Sequence, residues 1–218
     1  MLTFDSEKLI GHFKSCKERF KSISDKKPEL LGDIQRNFEN QISDYEEKGF
    51  LSVAFVGEYS AGKSTIISAL TGIDDIKIAA DIATDATAEY DWNGIKIIDT
   101  LGLFTDRHDD QITHEKIKES DLLIFTLTHS LFDSITAENF QDLAFKYNYK
   151  NKMMLVVNKL SSEAGDDDEK ISNYKESLQT AIAPHDLSAF PIAFIDALDY
   201  LEGSKDGDEE LLKLSRFD

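Results

Sequence analysis

Between Leu51 and Thr71 the chain reads LSVAFVG, then EYSA, then GKSTIISALT, and few folds accept residues in that order. The apolar, partly β-branched run Leu51, Val53, Ala54, Phe55 and Val56 predicts a short buried strand; Ile66, Ile67, Ala69 and Leu70 then recur at helical spacing. Between them lies Gly57-Glu58-Tyr59-Ser60-Ala61-Gly62-Lys63-Ser64, which fits G-x-x-x-x-G-K-[ST] with a strand before it and a helix after it. The chemistry accounts for the residue types. Glycine at 57 and 62 lets the backbone close on phosphate oxygens, and the helix start adds unpaired N–H groups and partial positive charge. Lys63 reaches the β- and γ-phosphates, and the Ser64 hydroxyl is a hard ligand for Mg²⁺. The stretch from Gly57 through Thr65 therefore predicts a nucleoside triphosphate site.

A chain of 218 residues has room for one α/β domain and a small attachment. Its formal net charge of −18 is uneven, with 9 basic and 10 acidic residues in 1–48 and 15 and 32 in the remainder. So acidic a remainder argues against nucleic acid or anionic lipid as direct partners. Clusters such as Asp166-Asp167-Asp168-Glu169 read as a solvated loop or helix start. No apolar run approaches the length of a membrane span, and MLTFDSEKLIG lacks the basic and apolar regions of a signal peptide. The single cysteine, Cys16, excludes an internal disulfide and suits a reducing cytoplasm. Its place among Leu9, Phe13 and Phe20 predicts a small core residue.

Residues 5–47 predict two helices. Leu9, Phe13, Cys16, Phe20 and Ile23 form one apolar stripe, and Leu31, Ile34, Phe38, Ile42 and Tyr45 a second. Pro28 suits the first turn of the second helix, with Ser24 or Asp25 available as its cap. The expected division is a helical hairpin over 1–49 and a nucleotide-binding domain over 50–218. Two helices cover little of their own phenylalanines, so Phe13, Phe20 and Phe38 are expected to meet a self-partner or further helices.

Residues 73–87 lack periodicity. Trp92-Asn93-Gly94 is a hairpin turn signal between strands at Ala88–Trp92 and Ile95–Ile98. The second strand runs into Asp99-Thr100-Leu101-Gly102, a D-x-x-G pattern, followed by the polar stretch 103–119. His108 and His114 flank Asp109 and Asp110, but nothing completes a metal cluster, and they read as surface residues. Further strands are expected at Asp121–Thr126, Lys152–Val157 and Pro191–Ile195, with a helix over Thr136–Tyr147. The last two strands end in Asn158-Lys159-Leu160-Ser161 and Asp196-Ala197. Apolar strands alternating with helices predict an α/β fold with a mostly parallel sheet covered on both faces. Each motif falls at a strand's carboxyl end, where open α/β sheets bind ligands.

GEYSAGKST, a threonine in 73–87, DTLG, NKLS and IDALDY together resemble the translation-factor-class GTPases. GEYSAGKST at the end of VAFVG, behind a helical segment, resembles most the bacterial dynamin-like GTPases, among them the labile-enterotoxin-output type. The resemblance implies a P-loop GTPase domain that takes GTP or GDP with Mg²⁺. It implies phosphate and metal contacts from Gly57, Ser60, Gly62, Lys63 and Ser64, a metal ligand in Asp99 and a γ-phosphate sensor in Gly102. Thr84, with Thr87 as competitor, would be the switch I ligand of the metal. Ser60, Lys63 and Thr84 would serve hydrolysis, while Asn158, Lys159, Ser161 and Ala197 would face the base. A homo-dimer or oligomer, formed through the GTPase face or the helical segment, is also implied. The chain stops at Asp218, so the family's helical stalk and membrane-contacting tip are expected to belong to parts outside it.

Three departures bear on function. Leu101 stands where the family commonly has proline, and Tyr59 where eukaryotic dynamins carry a water-positioning glutamine. Ser161 replaces the aspartate that accepts from guanine. Arg107, the one arginine in a switch, reads either as an arginine finger or as an exposed partner of Asp106, Asp109 or Asp110. The expected activity is slow GTP hydrolysis coupled to a conformational change. The alternatives are an interaction module that binds without turnover, and an ATPase on the same scaffold. A carboxylate at 161 would make two charge-assisted bonds to guanine worth about 1.5–3 kcal/mol each; one from Glu163 or the 166–168 run could swing in, though loop length makes this the lesser reading, and the remaining guanine signal is the backbone N–H near Ala197. Guanine nucleotides should therefore outbind adenine ones by a reduced margin of about 10- to 100-fold, and Ser161→Asp should widen it. Competition titration of GDP against ADP checks this.

Overall fold

The computed structural model describes residues 6–73, 76, 88–100 and 109–217. The chain divides into two compact units, Met1–Leu51 with Asp91–Lys96, and Ser52–Tyr90 with Ile97–Asp218.

In the first unit, α1 (Ser6–Ser24) and α2 (Pro28–Lys48) form a hairpin. Pro28 opens α2, where its missing N–H costs nothing. Ser24 does not cap α2; its wholly buried side chain donates to Gln35 Oε1 and so ties the helices together. The Phe20 and Phe38 rings meet across the hairpin at 4.8 Å, both half-buried, and Ile42 is buried. The side chain of Phe13 lies outside the described residues. Ile23 and Ile34 remain 57% and 54% exposed. Cys16 is exposed as well, which corrects its reading as a core residue. Two helices bury one narrow seam, and Cys16 falls outside it.

The sheet contains β1 (Leu51–Gly57), β2 (Ala88–Trp92), β3 (Ile95–Asp99), β4 (Leu122–Leu127), β5 (Met153–Val157) and β6 (Ile192–Phe194). Their order is β2-β3-β1-β4-β5-β6. β1, β4, β5 and β6 run parallel, in registers that include Gly57 opposite Thr126, Thr126 opposite Val156, and Val157 opposite Phe194. β2 and β3 are joined by Asn93 and Gly94, with φ of 48° and 80°; this is the two-residue turn that matches strand twist.

The other helices are α3 (Lys63–Thr71), α4 (Asp109–Glu119), α5 (Ser134–Gln141), α6 (Asp167–Ile182), α7 (Ala197–Asp206) and α8 (Glu209–Leu214). α5 stops short of its expected end and continues as a π-helical turn over Asp142–Lys146, closed by Tyr147 N–H donating to Asp142 O at 2.9 Å. The core under β1, β4 and β5 is apolar and aromatic. Phe140 is fully buried, with Phe125, Phe132 and Phe190 at centroid distances of 5.3, 5.2 and 5.1 Å. The acidic run beginning at Asp166 is a helix start: Asp166 accepts from the amides of Asp168 and Glu169, and the acids that follow sit in the first turn of α6, where the helix dipole favours them.

α4 ends on a cation supplied from elsewhere. Lys152, just before β5, donates from Nζ to the carbonyls of Ile117, Lys118 and Ser120 at 2.9, 3.0 and 2.6 Å. The first two lie in the last turn of α4, where the helix itself leaves carbonyls unpaired, and Ser120 follows it. Lys152→Met keeps the stem and loses the donors, and should cost about 1–3 kcal/mol, read from urea unfolding.

Candidate nucleotide site

β1 ends at Gly57, and the loop it feeds ends at Gly62, the residue before α3. Gly57 has φ 134°, and a Cβ there would stand 2.1 Å from the carbonyl oxygen of Thr126 on β4. Gly62 has φ 86°, and a Cβ there would stand 2.4 Å from Asn158 Nδ2. The loop is thus a cradle that only glycine at these two points allows. Ser60 also has a left-handed backbone, φ 60°, and its side chain is exposed, as is that of Tyr59. Ala61 is fully buried and Thr65 lies half-buried in the first turn of α3.

Lys63 is 7% exposed and donates from Nζ to the carbonyls of Glu58 and Gly57, at 2.7 and 3.3 Å. Burial pushes its pKa down to about 8, against the pull of the Asp99 and Glu58 charges. Asp99, the last residue of β3, accepts from Ser64 Oγ at 2.6 Å. Its carboxyl is raised by burial, while the Ser64 hydroxyl and the Lys63 charge act the other way. The next residue, Thr100, donates its hydroxyl to Phe55 O at 2.6 Å, fixing the end of β3 beside β1. Hydroxyl and carboxylate oxygens this close are a hard donor set of the kind Mg²⁺ accepts, so the residues present fit that ion.

Asn158 follows β5 and is 2% exposed. Its Nδ2 donates to Ala61 O at 3.0 Å, and its Oδ1 accepts from Ala197 N–H at 3.0 Å. The amide of Ala197, expected to face a base, is therefore engaged by Asn158. Lys159 has φ 65°, and its Cε would be 3.8 Å from a Cβ on Gly62, so its stem runs beside the phosphate loop. Ser161 N–H donates to Asp196 Oδ2 at 3.1 Å, and Ser161 Oγ donates to Asp199 Oδ2. Thr84, Thr87, Gly102 and Arg107 lie outside the described residues.

Two side chains enter that the motifs did not point to. Thr136, on α5, donates its hydroxyl to Glu58 Oε1 at 2.7 Å, so the Glu58 side chain is held by α5 while its carbonyl serves Lys63. A cavity of about 420 Å³ lies there, lined by Gly57, Glu58, Tyr59, Ile135 and Thr136 among others, but by none of Lys63, Ser64 and Asp99. Asp199 is the second. Its only signal in the sequence is its place three residues after the helix cap Asp196, which sets both carboxylates in one helical turn.

A mostly parallel sheet whose first strand runs through a glycine cradle into a helix, with a buried lysine, a serine–aspartate pair and an asparagine brace, has the α/β fold of a P-loop GTPase domain. Residues 52–159 match the family model described as 50S ribosome-binding GTPase. Curated relatives include GTPase Der of Clostridium kluyveri, 24% identical over 184 residues, covering 78% of this chain and 40% of Der. Der of Clostridium acetobutylicum is 24% identical over 182 residues, with the same coverage of 78% and 40%. The chain thus spans about two fifths of the length of these relatives. Among solved structures, the LeoA bacterial dynamin GTPase from ETEC is similar in fold at a TM-score of 0.65 and 20% identity, over 98% of this chain and 46% of LeoA. Era of Aquifex aeolicus, in a variant bound to GDP and AlF4⁻, is similar at a TM-score of 0.53 and 19% identity, over 75% of this chain and 56% of Era.

Lys63→Ala removes the buried ammonium, and Ser64→Asn replaces the short hydroxyl beside Asp99. Each should weaken triphosphate binding by at least about 100-fold, or about 2.8 kcal/mol, with circular dichroism unchanged. Wild-type affinity in either variant, measured by calorimetry, would overturn the phosphate-loop assignment.

Proposed function

We propose that the chain is the GTPase domain of a dynamin-like protein. It binds GTP with Mg²⁺, hydrolyses it slowly when alone, and couples the nucleotide state to self-association. The observation that carries the reading is the convergence of Lys63, the Ser64–Asp99 pair and the Asn158 brace on one glycine-bounded loop. The fold likeness to a bacterial dynamin over 98% of the chain is in keeping with the dynamin-like part of it.

The residues divide the work. Backbone N–H groups from Gly57 to Thr65 and the start of α3 bind the β- and γ-phosphates. The Lys63 ammonium stabilises charge that builds on the bridging and γ oxygens as water attacks phosphorus and the bond to GDP breaks. Ser60 donates near the bridging oxygen. Ser64 and Asp99, with Thr84, would hold Mg²⁺, which supplies charge neutralisation between the two phosphates when bound. Gly102 reads the γ-phosphate, so that residues 73–90 and 100–118 differ between GTP and GDP states. Neither Leu103 nor Tyr59 offers a side-chain amide to orient water, and hydrolysis by one copy alone is slow for that reason. Ile23 and Ile34, exposed on the helical hairpin, provide apolar surface for a second copy.

Phosphate release measured over a range of protein concentrations tests this. The expected result is sustained GTP turnover that rises per molecule with concentration and disappears in Lys63→Ala. Tight GTP binding with no turnover at any concentration would replace the enzyme with a nucleotide-gated interaction module.

A further inference from the structure

The resemblance to GTPases calls for a carboxylate at position 161, and the chain has serine. The structure brings a carboxylate to that serine from another element. Ser161 Oγ donates to Asp199 Oδ2, and Asp199 stands half-buried in the first turn of α7. The other acids nearby are committed. Asp196 accepts from the amides of Leu198 and Asp199 through Oδ1, each at 3.2 Å, and from Ser161 N–H through Oδ2. Glu163 accepts from the Tyr174 hydroxyl at 2.5 Å, and Asp166 caps α6. Asp167 pairs with Lys170 at 2.8 Å. Among the described residues, Asp199 Oδ1 has no hydrogen-bond partner.

The surroundings of this pair are those of the nucleotide site. Asn158 binds Ala61 of the phosphate loop on one side and Ala197, two residues before Asp199, on the other. The Lys159 stem lies against Gly62. The phosphate loop, the 158–161 loop and the start of α7 are thus held together by direct contacts, and Ser161–Asp199 lies where the latter two meet.

We propose that Asp199 is the base-reading carboxylate of this site, held for the task by Ser161. The proposal rests on the GTPase reading above. Guanine presents two adjacent donors, N1–H and the 2-amino group, which one carboxylate accepts together. Adenine presents an acceptor at N1 and no 2-amino group. The oxygen that takes the Ser161 proton keeps a second lone pair, and Oδ1 is unengaged, so the carboxylate retains the capacity for both bonds. A serine Oγ stands about where an aspartate Cγ would, so the Asp199 carboxylate lies one hydrogen bond further out than a residue-161 carboxylate. The same contact reverses the expectation for Ser161→Asp. In the otherwise unchanged chain that substitution sets two carboxylates against each other, which disfavours both being charged.

The test is binding of GDP, ADP and xanthosine diphosphate, each with Mg²⁺, to the wild-type chain, to Asp199→Asn and to Ser161→Asp/Asp199→Asn. In Asp199→Asn, GDP should weaken by about 10- to 100-fold with ADP unchanged. Xanthosine diphosphate should gain, because an amide donates to the carbonyl that xanthine has at C2. The double variant, with the carboxylate moved to 161, should regain GDP. If Asp199→Asn is unfolded, Ser161→Ala decides: a loss confined to GDP supports the proposal, and equal changes for GDP and ADP overturn it. Unchanged GDP affinity in a folded Asp199→Asn overturns the role of Asp199 and leaves the GTPase reading intact. A wild-type chain that binds neither GDP nor ADP overturns both.

Discussion

The side-chain amide of Asn158 is the contact on which the rest of the site depends. It is buried; its Nδ2 donates to the Ala61 carbonyl of the phosphate loop, and its Oδ1 accepts from the N–H of Ala197, the first residue of α7. In a low-dielectric interior each of those bonds matters mainly through what its loss would leave, a buried carbonyl at Ala61 and a buried amide at Ala197 without partners. The same amide stands so close to Gly62 that no side chain fits there. One residue thus sets the distance between the glycine-bounded loop after β1 and the loops that follow β5 and β6. It can do so because β1, β4 and β5 are neighbours and parallel, which brings Gly57 and Asn158 out at the same edge.

Charge at this edge runs against the chain as a whole. In an otherwise acidic chain, positive potential is concentrated here by few groups: the start of α3, the backbone amides of the loop, and Lys63. Burying Lys63 depresses its pKa, yet Asp99 and Glu58 hold part of the charge in place. Asp99 is balanced in the opposite sense, lifted by burial and steadied by Ser64 and Lys63. Burial thus works against the charged form of both groups, and each is partly offset by the other's charge.

Much of this was legible from residue order. The strand runs were plain because parallel strands buried on both faces are continuously apolar, as LSVAFVG, DLLIFT and KMMLVV are. The helical hairpin followed from its two stripes, and the Asn93-Gly94 turn from the positive φ it demands. Reading failed where a residue's fate depends on how much surface its neighbours cover. Cys16 sits in a stripe that looked like core, but the seam between α1 and α2 is narrower than the stripe, and Cys16 lies outside it. The end of α5 failed for a similar reason, since helical periodicity does not distinguish an α-turn from the π-turn that follows Gln141.

By itself the sequence determined the fold class and the glycine-bounded loop between β1 and α3. Those features are local: a strand, a glycine-bounded loop and a helix are contiguous in the chain, so spacing alone places Gly57, Gly62, Lys63 and Ser64. The surroundings of Ser161 are not local. Glu163 and the 166–168 run are near Ser161 in sequence but are held by Tyr174, by the cap of α6 and by Lys170. Asp199, 38 positions away, reaches Ser161 because β5 and β6 are paired and release their following loops side by side. Which carboxylate meets that serine was decided by strand pairing, a long-range contact that no short pattern of residues encodes.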